Sequence, residues 1–475
     1  DALRSIASRR RLARPLDTTP TGSDKLSAEA PSLRGVPSIY GMREWVQRLG
    51  HSEEELRSLN IVHVAGTKGK GSTCAYIEAL LRSHGQRTGF PRKTGLYTSP
   101  HLLIPEERIR LDSKPVSPDL FAKNYFEVHN KLRSAKPVPR VEHGPRYLQM
   151  WALTALHTFI KEKVDVAVIE THHGGEFDAT NFLQQTVVTV VTTLGMDHVE
   201  QLGPTLRNIA WHKAGIFKTG AAAISAPQDP EGTDVLRARA TEREVHLEFA
   251  NVARYTKAVA GLPAEVLRVN CSVAIAAAKA FLCKTSSDAR LSEEDIDRGI
   301  QGFSWPGRFQ IIHADGVAWF LDSAHNIMSV TKAAKWFHEA STRNDLRVSP
   351  FVREWKPLLR ELLAALKETG IHFAVLVFTA QTQITASRGF ATLQYSRESE
   401  AKTSICSSDL QQRLDGFAAV GREYFPEAKV HTDANVNRAV EAVISFSQRE
   451  KASRVFVTGS QHLVGGVLKC ITPAA

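Results

Sequence analysis

Short apolar runs alternate along the chain with longer segments whose apolar residues recur at helical spacing. The runs read VDVAVIE, TVVTVVTTLG, GAAAIS, VAWFLD, FAVLVFTA and SRVFVTG. Alternation of this kind predicts parallel sheets covered by helices. In such sheets the functional groups lie just beyond the carboxyl ends of the strands.

Polar residues stand at several of these predicted strand ends. They are Glu170, Asp197, His198, Asp322, His325, Ser460 and His462. For any one of them alone, a helix cap or a loop hydrogen bond is an ordinary role. Their recurrence at successive strand ends indicates a shared site.

The stretch VAGTKGKGST, residues 64–73, has the parts of a phosphate-binding loop without the usual spelling. The preceding NIVHVAG predicts a buried strand that ends at Gly66. Gly66, Gly69 and Gly71 would let the backbone approach phosphate oxygens closely, and Lys70 could reach the terminal phosphates. The alternative is a glycine-rich turn in an ordinary strand–turn–helix unit.

A helix is predicted after this loop, with its start near Ser72 or Thr73 and its end at Gly85. Its apolar face is indicated by helical spacing of Cys74, Ile77, Leu80, Leu81 and His84. The first free N–H groups of such a helix would face an anion.

Composition limits the classes of protein. With 475 residues, 43% hydrophobic and 23% charged, the chain suits two or three globular domains. No apolar run approaches the ~20 residues of a membrane span. The five cysteines form no CxxC pair, which suits a reducing compartment and argues against a zinc site.

The net charge of +10 has two interpretations. No dense Lys/Arg cluster interleaved with aromatic residues occurs outside RRRLAR near the start of the chain, so nucleic acid is not the predicted partner. Small polyanionic substrates account for the charge equally well. We therefore predict small-molecule substrates and no nucleic-acid or membrane partner.

Residues 1–35 are rich in Arg, Ser, Thr and Pro, and we predict a flexible N-terminal arm there. A remnant of mitochondrial targeting is the alternative. The predicted location is accordingly cytoplasmic, with a mitochondrial location as the second possibility.

Several motifs in a fixed order resemble those of the folylpolyglutamate synthases of the Mur ligase superfamily, especially the eukaryotic branch. The resemblance runs from GMREWVQRLG to VFVTGSQHLVGG and covers nearly the whole chain. It rests on HVAGTKGKGS, LYTSPHL, ERIR, GGEFDATN, GMDHVEQLG, IAWHKAGIFK, WPGRFQ and LDSAHN. It implies an α/β fold with an N-terminal P-loop-type parallel-sheet ATPase domain at 36–302 and a smaller Rossmann-like α/β domain at 303–475.

The resemblance implies an ATP-dependent amide ligase, and we predict that the protein is a monomer. In that chemistry the γ-carboxylate of a (poly)glutamylated tetrahydrofolate attacks the γ-phosphate of ATP, and the amine of L-glutamate captures the acyl phosphate. Two alternatives stay open. One is a paralogue with the same chemistry on a non-folate carboxylic acid, and the other is a weakly active nucleotide-binding scaffold.

The family's motifs also imply roles for individual residues. The ATP-binding residues would be Gly66, Thr67, Lys68, Gly69, Lys70, Gly71, Ser72, Asn270, Arg308, Asp322 and His325. The magnesium ligands would be Ser99, Glu170 and His198. The catalytic residues would be Lys70, Lys213, Asp322 and His325. Lys213 matches a family lysine that is typically carbamylated, and a plain lysine salt bridge is the alternative.

Some segments depart from the family's pattern. His172 and His173 stand where the family has a small residue and glycine, and RTGFPRKTGLY predicts a longer or displaced loop before Ser99. In LIPEERIR the family has an additional Arg, Ser323 replaces a glycine, and QTQITASRGF follows LVFTA in place of an Arg-Asp pair. These departures affect the predicted substrate and metal regions more than the nucleotide site.

Overall fold

The computed structural model describes residues 1–10, 37–134, 144–253, 256–286, 288–341, 348–352, 356–371, 373–379, 407–450 and 454–472. These residues belong to two compact units, Asp1–Ser304 and Trp305–Ala475. Each unit is built on its own sheet.

The first unit contains an eight-stranded sheet in the order β4-β3-β2-β5-β1-β6-β7-β8. Its strands are β1 Ile61–Ala65, β2 Thr94–Tyr97, β3 Ile109–Leu111, β4 Lys114–Pro115, β5 Val166–Glu170, β6 Thr186–Val191, β7 Ala222–Ser225 and β8 Leu247–Phe249. The six neighbouring strands β2, β5, β1, β6, β7 and β8 pair in parallel. Strands β3 and β4 pair antiparallel and form one edge of the sheet. The predicted strands at β5, β6 and β7 are confirmed.

Strand β1 lies at the centre of this sheet, between β5 and β6. Val64 pairs with Glu170 of β5, and Ala65 pairs with Val191 of β6. All five residues of β1 and of β5 are buried, as expected for parallel strands covered on both faces. The neighbours of β1 on its two sides are reached by separate crossover connections, which leaves a crevice beyond the carboxyl end of β1. Ligands bind in this crevice in such sheets.

Helices cover this sheet. They are α1 Ala2–Ala7, α2 Met42–Arg48, α3 Glu53–Ser58, α4 Lys70–Thr88, α5 Pro118–Arg133, α6 Tyr147–Lys161, α7 Val199–Leu202, α8 Leu206–Ala214, α9 Pro230–Glu242, α10 Lys257–Ala260, α11 Glu265–Thr285 and α12 Glu293–Gln301. Two short 3₁₀ turns span Pro105–Arg108 and Ala179–Phe182.

The helix after the phosphate loop is longer than the sequence predicts. Helix α4 begins at Lys70 and ends at Thr88, with Gly89 in the left-handed region as its C-cap, so the predicted start near Ser72 and end at Gly85 are wrong. Gly85 is required for a different reason, since a Cβ there would lie 1.9 Å from the carbonyl oxygen of Pro91. The glycine marks a close approach of two backbones and not a helix end.

The N-terminal residues are ordered against the core. Helix α1 buries Ala2 and Ile6 in the same hydrophobic cluster as Trp45 and Tyr125. The prediction of a flexible arm is therefore wrong for residues 1–10. The rest of the predicted arm lies outside the described residues.

One helix in the described part of the chain, α11, is long and apolar enough to span a membrane by length and composition. Arg268 and Lys279 interrupt this segment, so it does not read as an unbroken apolar run in the sequence. Helix α11 packs against α4 and β6, and it buries Leu267, Val273 and Phe281. These contacts are those of a core helix.

The second unit contains a six-stranded sheet in the order β13-β12-β11-β14-β10-β9. The strands are β9 Gln310–Ala314, β10 Val317–Leu321, β11 Val348–Val352, β12 Val375–Thr379, β13 Lys429–Asp433 and β14 Arg454–Val457. Among the described strands of this second sheet, only β9 pairs antiparallel. The predicted strands at β10, β12 and β14 are confirmed.

Five helices accompany this sheet in the described residues, namely α13 Ile327–Ser341, α14 Lys356–Glu368, α15 Ser407–Tyr424, α16 Val436–Glu450 and α17 Gln461–Ile471. Aromatic residues fill the space between α13 and the sheet. Phe337 stacks on Phe456 at 4.7 Å, and Trp336 packs edge-on against Phe320 at 5.7 Å. The predicted α/β fold class is confirmed for the chain.

Candidate active site

The loop between β1 and α4 is shaped by two glycines. Gly66 has φ 149°, and a Cβ there would lie 1.9 Å from Thr192 Oγ1. Gly69, the N-cap of α4, has φ 83°, and its Cβ would lie 2.3 Å from Asn270 Oδ1. The loop is therefore packed so tightly that neither position has room for a side chain.

The backbone N–H groups of the loop divide into two sets. Those of Thr67 and Lys68 both donate to the carbonyl oxygen of Thr193, at 3.0 and 3.1 Å. The first N–H groups of α4 have no intrahelical acceptor, as at any helix start, and the positive end of the helix dipole lies there. The donors suited to a phosphate are therefore those at the start of α4 and not the amides of Thr67 and Lys68.

A carboxylate lies beside this helix start. Glu170 ends β5, is only 4% exposed, and has Oε1 at 3.9 Å from the ammonium nitrogen of Lys70. Its other oxygen, Oε2, accepts a hydrogen bond of 3.0 Å from the backbone N–H of Ser99. The structure thus brings Lys70, Ser99 and Glu170 together.

The loop that carries Ser99 is held by a buried arginine. Arg108 donates to Ser99 Oγ at 2.8 Å and to His101 Nδ1 at 3.1 Å. The longer segment before Ser99 therefore does not displace this residue from Glu170, which corrects the expectation of a misplaced loop.

His198 lies at the N-cap of α7 with φ 50°. Its ring packs edge-on against the ring of His173 at 4.8 Å, and its Nε2 is 3.7 Å from Asp197 Oδ2. Within the described ranges, no group of three or more His, Cys, Asp or Glu side chains is arranged to hold a metal ion. An ion at this site would have few protein ligands, which is usual for magnesium.

His172 is accommodated in the core beneath the site. Its Nε2 is 2.7 Å from the hydroxyl of Tyr97, and its Nδ1 is 3.4 Å from Asp178 Oδ1. The Asp178 carboxylate also accepts bonds from the N–H groups of His172, His173 and Thr180. Burial opposes ionisation of Asp178, but the adjacent His172 and these hydrogen bonds lower its pKa overall. The residue that departs from the family pattern thus has a complete set of partners.

Lys213 reaches the phosphate loop from α8. It is 2% exposed, and its Nζ donates a hydrogen bond of 2.7 Å to the carbonyl oxygen of Gly66. Burial, reinforced by the charges of Lys70 and Lys68, lowers the pKa of Lys213 to about 7, although Asp197 acts in the opposite direction. A substantial fraction of this amine is therefore neutral at physiological pH.

In the second unit, the predicted nucleotide residues organise a loop after β10. Asp322 accepts hydrogen bonds from the N–H groups of Phe309, at 3.1 Å, and Ala324, at 2.9 Å. Arg308 donates to Gln461 Oε1 at 3.2 Å, and His325 Nδ1 is 2.9 Å from the carbonyl oxygen of Ser323. Asp322 therefore fixes the backbone next to Arg308, through Phe309, and next to His325, through Ala324.

Ser323, which stands where the family has glycine, makes its own contact. Its hydroxyl donates a hydrogen bond of 2.8 Å to the carbonyl oxygen of Gly307, which also accepts from the Ser323 N–H at 3.1 Å. The segment QTQITASRGF, residues 381–390, lies outside the described residues.

The sequence did not point to Thr193, and it assigned Asn270 to ATP without indicating its contact with Gly69. Thr193 holds the N–H groups of Thr67 and Lys68, and Asn270 closes over Gly69. The signal available for Thr193 was its position two residues beyond the end of β6. For its contact with Gly69, Asn270 offered only a polar residue inside an apolar helix, which is a weak signal.

The fold and the site together define a two-domain α/β enzyme of the Mur ligase type, with a phosphate loop at the central strand of its larger sheet. No family model matches the chain. Folylpolyglutamate synthase of Neurospora crassa is 35% identical over 461 residues, which cover 92% of this chain and 86% of that protein. The probable folylpolyglutamate synthase of Schizosaccharomyces pombe is 35% identical over 460 residues, covering 92% and 88% of the two chains.

Solved structures show the same fold. Folylpolyglutamate synthase of Mycobacterium tuberculosis, complexed with ADP and AMPPCP, aligns with a TM-score of 0.72 at 23% identity and covers 92% of this chain and 96% of its own. FolC of E. coli, in complex with DHPP and ADP, aligns with a TM-score of 0.68 at 23% identity, covering 99% and 97%. The chain belongs to the folylpolyglutamate synthase family, and the predicted family and the predicted class of ATP-dependent ligase are confirmed.

Proposed function

We propose that this protein adds L-glutamate to the γ-carboxylate of a (poly)glutamylated tetrahydrofolate at the expense of ATP. The observation that carries the proposal is the pairing of Lys70 with the buried Glu170 at the start of α4, directly after the glycine-lined loop. A cation, the helix N–H donors and a carboxylate thus lie together at the carboxyl ends of β1 and β5. Membership of the family supports the choice of reaction.

The chain's own groups account for the phosphoryl-transfer step. Charge develops on the oxygens of the transferred phosphoryl group, so fixed donors must already be in place. Lys70 and the N–H groups at the start of α4 supply that charge stabilisation. The Thr193 carbonyl keeps the loop in the required shape by holding Thr67 and Lys68.

Magnesium fits the chemistry of this donor set. Glu170 offers a buried carboxylate, and Ser99 offers a hydroxyl oxygen that accepts from Arg108 and retains a lone pair. We assign Glu170, Ser99 and His198 as its ligands. When bound, the ion would neutralise phosphate charge.

Lys213 is suited to carbamylation because it combines burial with a pKa lowered to about 7. Only the neutral amine can react with carbon dioxide. We propose that this modification converts Lys213 from a cation into a carboxylate able to hold a second metal ion.

The remaining nucleotide contacts are assigned from the family's motifs. We propose that Asn270 contacts adenine and that Arg308, Asp322 and His325 of the second unit contact the nucleotide, with domains at 36–302 and 303–475. We further propose a monomer in the cytoplasm or in mitochondria. Analytical ultracentrifugation and imaging of the tagged full-length protein test these two points.

A mass-spectrometric product assay tests the reaction itself. Purified protein is incubated with tetrahydrofolate, L-glutamate, ATP and magnesium, and the pterin products are resolved by glutamate number. Glutamylated tetrahydrofolate is the expected product. ATP turnover stimulated by another carboxylic acid, with no glutamylated folate, would favour the paralogue, and nucleotide binding without turnover on any acid would favour the scaffold.

A further inference from the structure

Arg108 is a buried cation without a buried counter-ion. It is 4% exposed, and its hydrogen-bond acceptors, Ser99 Oγ and His101 Nδ1, are neutral groups. Throughout the described ranges, no Asp or Glu oxygen lies within ion-pair distance of this guanidinium. Because arginine stays protonated in proteins, the charge must be stabilised by something else.

Aromatic faces provide part of that stabilisation. The Arg108 Cζ lies 5.3 Å from the ring centroid of Trp151 and 5.7 Å from that of Tyr147. Cation–π contacts of this kind compensate only partly for lost hydration. The two hydrogen bonds also use only two of the five N–H donors of a guanidinium. The site can therefore still accept an anion.

A second arginine, three residues beyond the end of α1, approaches the same tyrosine. Arg10 donates to the Tyr147 hydroxyl at 2.8 Å, and its Cζ lies 4.5 Å from the ring centroid. Burial would raise the pKa of Tyr147, but the charges of Arg108 and Arg10 outweigh it and lower this pKa. The ring therefore lies in a region of positive potential between two guanidinium groups.

This region is continuous with the proposed reaction centre. Tyr147 is next to Arg108, Arg108 holds Ser99 Oγ, and the Ser99 N–H is bonded to Glu170. The two positive charges would therefore attract the other carboxylates of an acid substrate whose reacting carboxylate lies near Glu170.

We propose that Arg108 and Arg10, on either side of Tyr147, form a subsite for the non-reacting carboxylates of the acid substrate. This inference rests on the proposed function and specifies which end of a glutamylated acid the first unit holds. The ligand class is a chain of γ-linked glutamyl groups. A guanidinium matches a carboxylate in a bidentate geometry that lysine cannot reproduce.

Arg10 provides the cleaner test because Arg108 also holds the Ser99 loop. We expect Arg10→Ala to raise KM for tetrahydrofolate triglutamate by about tenfold, the effect of losing one charge-assisted bond. KM for ATP should stay within about twofold, and Arg10→Lys should recover only part of the loss. The matched control is Arg4→Ala, six residues earlier on α1, because Arg4 pairs with Asp1 at the surface.

Two further readouts separate binding from folding. The ratio of KM values for mono- and triglutamate substrates should change in Arg10→Ala and not in Arg4→Ala, whereas simple destabilisation would affect both substrates equally. For Arg108→Lys, protection against thermal unfolding by the peptide γ-Glu-γ-Glu-Glu, without ATP, should fall below that of the unmodified protein. This binding assay needs no turnover.

The inference is overturned if Arg10→Ala and Arg4→Ala give the same KM ratio, or if the peptide protects Arg108→Lys fully. Either result, in an enzyme that still glutamylates tetrahydrofolate, leaves the proposed function intact. If the protein forms no glutamylated folate but is still protected by the peptide, the proposed function is wrong and the proposed carboxylate subsite stands.

Discussion

Lys213 donates its hydrogen bond to the carbonyl oxygen of Gly66, the first residue of the phosphate loop, over 2.7 Å. This contact joins α8 to the carboxyl end of β1. It also places the buried amine beside two other lysines, Lys68 and Lys70, whose charges favour its neutral form. The same arrangement therefore fixes the loop and prepares an unprotonated amine.

The first prediction concerns the pH dependence of stability. The pKa of Lys213 is about 7 in the folded chain and near the ordinary 10.5 in the unfolded chain, so the unfolded chain binds more protons between these values. The contribution of Lys213 to the free energy of unfolding should therefore rise as pH increases from about 7 to about 10. Below pH 7 the full cost of burying the charged amine is present.

Urea unfolding of the unmodified protein and of Lys213→Met, in bicarbonate-free buffer, measures this effect. The stability advantage of Lys213→Met should be largest near pH 6.5 and should shrink towards pH 9. Lys123→Met, at an exposed position on α5, should show no such trend. Parallel pH curves for the Lys213 variant and the unmodified protein would show that the amine is not buried as described.

The second prediction concerns Lys70. Lys70→Ala should cut turnover by about 10²–10³, since removing one transition-state charge costs about 3–4 kcal/mol. The melting temperature should change little, because Lys70 is at the start of a helix and is paired with Glu170 only at 3.9 Å. Steady-state kinetics and thermal unfolding measure both, with Lys123→Ala as the control. Full turnover in Lys70→Ala would exclude this loop as the catalytic site.

The large elements were predictable because their signals are local. Strands β1 and β5 are buried over their whole length and lie within largely apolar runs of the sequence. The three loop glycines indicate a tight turn. Gly85 was misassigned because its role depends on Pro91, a tertiary contact. No local pattern distinguishes a glycine that ends a helix from one that allows two backbones to touch.

The details of the site depend on residues far apart in sequence. His172 finds Tyr97 at a separation of 75 residues, and Lys213 finds Gly66 at 147. Sequence reading identified His172 only as a departure from the family pattern. Its partners, and the neutral surroundings of Arg108, emerge only once the strands are ordered in the sheet.

The third prediction concerns the metal ligands. Glu170→Gln and His198→Ala should each raise the magnesium concentration needed for half-maximal turnover, because the first removes the carboxylate charge and the second removes the imidazole from the proposed ion site. Titration of magnesium in the ligase assay measures the shift. His246→Ala, at an exposed position on the edge of the same sheet, is the matched control. An unchanged magnesium requirement in both test variants would remove the metal assignment.

The last prediction separates two costs of replacing a loop glycine. Gly69 and Gly89 cap the two ends of α4 with nearly equal φ values of 83° and 87°, so alanine at either position is strained by about 1–2 kcal/mol. Only at Gly69 would the new Cβ also collide, at 2.3 Å from Asn270 Oδ1, whereas nothing lies within 4 Å at Gly89. Gly69→Ala should therefore lower the melting temperature further than Gly89→Ala and raise KM for ATP, while Gly89→Ala leaves KM unchanged. Adding Asn270→Ala to Gly69→Ala should recover part of the lost stability, because the collision is with that side chain. If the two glycine variants melt at the same temperature, Asn270 does not pack over the loop.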